Sequence, residues 1–83
     1  MTTNKSSLEE EPGRDAWLRG VKFYVEAARF LSRAETIDAL RRAQAAFSAA
    51  GVDDVAARCA ALRRQVEAGG IDELPPASAL LRR

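Results

Sequence analysis

The stretch Trp17–Leu31, WLRGVKFYVEAARFL, carries apolar residues at helical spacing on more than one side. Trp17, Val21, Tyr24, Ala28 and Leu31 recur at steps of four and three, which sets them in one stripe along a helix. Ala16, Gly20, Phe23, Ala27 and Phe30 repeat that spacing one residue out of phase, forming a second stripe about 100° away. Leu18 and Val25 widen the first stripe on its other side. Only the row Asp15, Arg19, Lys22, Glu26, Arg29 and Arg33 is charged throughout, and it reads as the solvated face. Within that row, Asp15 with Arg19 and Lys22 with Glu26 are i,i+4 pairs of opposite sign, worth about 0.2–0.5 kcal/mol each. The spacing predicts helix 1 over about 15–31.

Outward from this stretch, Ser32-Arg33-Ala34-Glu35 has the form of a capping box, in which the serine and the glutamate each satisfy a backbone N–H. A second helix starting there runs to about Ala50, with Ile37, Leu40, Ala43 and Phe47 on its apolar face. A single helix from Asp15 to Ala50 is the competing reading, since neither glycine nor proline interrupts it. The break is favoured because the Trp17 stripe, continued past Leu31, meets Glu35 and Asp38. Gly51 stops helix 2, and Asp53 is the expected N-cap of helix 3, with Asp54 placed well against the helix dipole. So short a connection forces helices 2 and 3 into an antiparallel hairpin, with Val52, Val55, Cys59, Leu62 and Val66 as its seam. Gly69-Gly70 ends helix 3.

The expected fold is therefore all-α: a small three-helix bundle of helix 1 plus the antiparallel helix 2/helix 3 hairpin, over residues 14–68. Residues 1–13 are polar and acidic, with almost nothing apolar except Leu8, and are assigned to a disordered tail. Residues 69–83 form an extended, proline-containing C-terminal arm around Pro75-Pro76.

The 83 residues, 47% hydrophobic and 30% charged, allow one small domain with a thin core. The hairpin can cover one stripe of helix 1, and burying an aromatic or leucine side chain gains roughly 1.5–3 kcal/mol. Something else must then cover the other stripe: a second copy, the arm folding back, or a different protein. Trp17, Phe23, Tyr24 and Phe30 of helix 1, with Leu74, Pro75, Leu80 and Leu81 of the arm, are accordingly the expected protein-binding residues.

Other chemistry finds little footing. There is no histidine and no glycine-rich phosphate loop, so no catalytic, cofactor-binding or metal-binding residue is assigned and no enzyme is expected. The single cysteine, Cys59, falls on the seam of helix 3 and reads as a buried, inert thiol. One cysteine, no apolar leader and no run of about 20 apolar residues point to a cytoplasmic chain with no membrane contact. The net charge of +1 makes nucleic acid an unlikely partner. A helix-turn-helix reading of residues 47–64 places Asp53-Asp54 where a reading helix approaches phosphates, and their charge is repelled there. Ala43, Phe47 and Ala50 resemble the A-x3-F-x2-A signature of the second tetratricopeptide helix over those three residues, with Val55 near the expected proline. The leading expectation is a small interaction module or accessory subunit that binds a larger protein or its own copy. The alternative is a small transcriptional regulator that contacts nucleic acid through Arg41, Arg42, Arg58, Arg63 and Arg64.

Overall fold

A computed structural model describes the backbone of residues 2–81 and the side chains of residues 13–81. Four helices follow in order among the described residues: α1 (Thr2–Ala28), α2 (Arg33–Ala49), α3 (Asp53–Glu67) and α4 (Ala77–Leu80). No strand occurs among the described residues. The all-α bundle is as expected: α1 lies along α2, α2 along α3, and the short α4 returns to α1.

Helix 1 begins at Thr2 and not near Asp15. The residues assigned to a tail for want of apolar anchors include Lys5, Leu8 and Glu9–Glu11, all strong helix formers, and the helical backbone runs on through Pro12. At its other end α1 stops at Ala28, where Phe30 N–H donates to the Ala27 carbonyl and Phe30 itself takes a positive φ of 52°. A left-handed conformation costs a non-glycine residue roughly 1–2 kcal/mol, and the packing of the Phe30 ring against the core holds it there.

The chain is thus broken between α1 and α2. Ser32 is extended (φ −155°, ψ 158°), and its Oγ accepts the Glu35 N–H at 3.1 Å. The reciprocal half of the box differs from expectation, because the Glu35 carboxylate accepts from the Ser32 hydroxyl at 3.1 Å.

Helices α2 and α3 end alike. Gly51 (φ 83°) donates to Ser48 and the next N–H, of Val52, donates to Phe47. Gly69 (φ 74°) donates to Val66 and Gly70 donates to Gln65. Both are Schellman closures, in which glycine takes the left-handed residue without a Cβ clash. The N-cap of α3 is Val52, without a side-chain capping bond, so Asp53 stands one position inside the helix with Asp54 behind it in the first turn.

The core draws on every helix: Tyr24 and Ala27 from α1, Leu40, Ala43 and Phe47 from α2, Val55, Ala56, Cys59 and Val66 from α3, and Leu74 and Leu80 from the arm. Gly20 sets the approach of α1 to α2. A methyl group at this position would lie 2.8–2.9 Å from three carbons of the Phe47 ring, which is itself wholly buried. Thr36 is buried as well, and its Oγ1 has no hydrogen-bond partner among the described residues.

Candidate functional site

The arm is where the expected binding residues meet. From Gly70 the chain turns back along the bundle, and the Tyr24 hydroxyl donates to the Pro75 carbonyl at 2.6 Å. Pro76 is the N-cap of α4, and Arg58 Nη1 of α3 donates to the Leu80 carbonyl near its end at 2.6 Å. Leu74 and Leu80 are buried, and Pro75, Ala77 and Leu81 are partly so. Of the three covers considered for helix 1, the one observed is the arm of the same chain.

This changes the standing of the expected anchors. Tyr24 is wholly buried, and Leu74 and Leu80 join it in the core, so none of the three presents a surface. Phe23 and Phe30 are half-buried and pack on that core. Trp17 is half-buried at the edge of a groove of about 440 Å³ that it lines with Val52, Asp54, Val55, Arg58 and Leu81. The residues chosen for a partner are brought together, but largely onto one another.

Burial sets the chemistry of the two titratable core groups. Desolvation pushes the Tyr24 phenol up to about 12, with the nearby Cys59 thiol adding to the rise. Desolvation likewise pushes the Cys59 thiol up to about 11. Neither group ionises near neutral pH, and a buried thiol of raised pKa is a poor nucleophile. No group of three or more His, Cys, Asp or Glu that could hold a metal occurs among the described residues. No helix among them is long and apolar enough to cross a membrane.

The apolar side chains left in water are different ones. Leu18 and Val25, two turns apart on α1, are 52% and 50% exposed, and Leu31 beyond the helix end is 66% exposed. Size and hydrophobicity alone place Leu18 and Val25 at the margin of a buried stripe. Their separation from Gly20 around the helix, about 160° for Leu18 at 100° per residue, is the signal that sets them outside. Three arginines of the hairpin stand beside carboxylates: Arg42 Nε lies 3.1 Å from Asp38, and Arg63 and Arg41 lie 3.3 and 4.0 Å from Glu67. Comparison with protein-family models, curated proteins and solved structures finds no match to this chain.

Proposed function

We propose that this chain is a small helical protein–protein interaction module, an adaptor or accessory subunit, that docks through the outer face of α1. The observation that carries the reading is the placement of Leu18 and Val25. A fold that turns its own arm back to cover Tyr24 leaves these two large apolar side chains half in water on one face of its first helix. Apolar side chains gathered on one face and rimmed by charge, here Arg14, Lys22 and Arg29, are the usual makings of an interface core. A cytoplasmic setting belongs to the same proposal, supported by the lone cysteine held as a buried thiol.

The nucleic-acid alternative is less well supported. A duplex presents one phosphate per roughly 1.7 Å of axis, so its reader needs a run of uncompensated cations. Here Asp38 and Glu67 interrupt the arginines of α2 and α3, and Asp53 and Asp54 head α3. The deciding experiment compares the full chain with its Leu18→Ser/Val25→Ser variant, each cross-linked and purified from the native host. A partner, or a second copy, held by the parent and lost by a variant of equal helical content supports the proposal. Equal retention by both removes α1 from the interface. Duplex binding that weakens steeply with salt overturns the protein reading altogether.

A further inference from the structure

A second feature lies away from α1, between the outer sides of α2 and α3. Arg41, Gln44, Ala45, Ser48 and Arg63 line a cleft of about 350 Å³ there. Arg63 is not the surface residue its sequence context suggests: its side chain is 22% exposed, sunk in the hairpin seam, and its Nε is buried without a hydrogen-bond partner. Its Nη1 donates to Glu67 Oε2 at 3.3 Å, and the same oxygen is the nearest anion to Arg41 Nη2, at 4.0 Å. Two guanidinium groups therefore share one carboxylate oxygen, which leaves one positive charge uncompensated at the mouth of a cleft that also offers an amide and a hydroxyl.

We propose that this cleft binds a carboxylate, supplied either by a small dicarboxylic acid or by an Asp or Glu side chain on another protein. A planar carboxylate matches the forked donors of a guanidinium, and charge-assisted bonds of this kind are stronger than neutral ones. The Gln44 amide and the Ser48 hydroxyl are further donors within the cleft wall. A turn of the Arg63 head group toward a second carboxylate brings the unpartnered Nε into a bond. Glu67 disfavours a polyanion, since a continuous phosphate chain would run against it.

The test uses the full chain, labelled with 15N, at constant ionic strength. Glutarate, a short blocked peptide containing two glutamates, inorganic phosphate and a duplex oligonucleotide are titrated separately, with sodium chloride as the screening control. Saturable shifts of the Arg63 Nε–H and Gln44 amide signals are expected with glutarate or the peptide. Arg41→Gln should weaken binding about tenfold without changing the melting temperature, since it removes one charged, exposed donor. Glu67→Gln should strengthen it by removing the resident carboxylate. Tighter binding of the peptide assigns the carboxylate to a protein, and equal or tighter binding of glutarate assigns it to a free acid. Shifts that follow salt alone, binding that is unchanged in Arg41→Gln, or tighter binding of phosphate or the oligonucleotide at these signals would overturn the proposal.

Discussion

The two faces of α1 are built the opposite way round from a simple hydrophobic gradient. Its inner face consists of Ala16, Gly20, Tyr24 and Ala27, three of them small, and its outer side carries Leu18 and Val25 in water. Small residues are inside because closeness, and not bulk, is what that face supplies: with no Cβ at Gly20, the Phe47 ring enters the groove of α1 and fills it. The large side chains of the two stripes then lie to either side of the contact line, where Trp17, Val21, Phe23 and Ala28 are half-covered. Interior density is therefore reached by one deep insertion flanked by partial contacts.

The most direct way to break this arrangement is at the insertion. Phe47→Ala should cost about 3–5 kcal/mol, enough to unfold much of a domain this small, as read by chemical denaturation. Gly20→Ala tests the same contact from the other side. On an exposed helix that change gains about 1 kcal/mol, whereas here the new methyl group meets a ring with nowhere to go, and a net loss of about 1–3 kcal/mol is expected. The two changes should be coupled. In a Phe47→Leu background the penalty of Gly20→Ala should shrink or reverse, and a penalty that stays the same would show that Gly20 is needed for some other reason.

Alkaline titration sharpens the inner face further, because Tyr24 and Cys59 are both held protonated by burial. In the unfolded chain they lose protons near 10.0 and 9.0, and in the fold only near 12 and 11. The unfolded chain therefore binds fewer protons over this window, so stability is at its full value below pH 9 and falls as pH rises. The slope should approach about 1.4 kcal/mol per pH unit for each group once its unfolded form has ionised. Cys59→Ala should remove the earlier part of the decline and leave the part beginning near pH 10. Tyr24→Phe should remove the later part, and at neutral pH it should cost about 1 kcal/mol through the lost bond to the Pro75 carbonyl. Denaturation midpoints at a series of pH values would resolve the two components.

The parts of this structure that were legible beforehand are those decided by local chemistry. Ser32 and Glu35 mark a helix start, Gly51 and Gly69 mark helix ends, and the short Gly51-Val52 link dictates the hairpin. Leu40, Ala43, Phe47, Val55, Cys59 and Val66 share the expected faces because consecutive helices pack on one another, α2 against α1 and α3 against α2. What was not legible depends on encounters distant in sequence. The burial of Tyr24 is settled by Pro75, Leu74 and Leu80, some fifty residues away, and nothing in the spacing of helix 1 encodes that meeting. Arg63 departs from expectation for a related reason: charge suggests surface, while the long arginine stem can lie in a seam with its head group at the edge. Helix 1 ended early because Phe30 yields its helical φ to keep its ring on the core, a trade that residue propensity does not register.

The outer face gives the smallest expected effect on stability and the sharpest contrast with Gly20. Leu18→Ser/Val25→Ser removes two large apolar side chains from the same helix, yet each is already about half in water. Little buried area is forfeited within the chain, and surface changes away from caps and buried networks are usually within about 0.5 kcal/mol each. The midpoint of urea unfolding should thus barely move, with the dependence on urea concentration unchanged. Should the double variant instead lose several kcal/mol, these side chains would be covered in solution, either by another copy or within the chain, and the stability of the parent would then depend on whatever covers them. Repeating the unfolding at two protein concentrations tenfold or more apart separates these cases, since only cover by a second chain makes the midpoint rise with concentration.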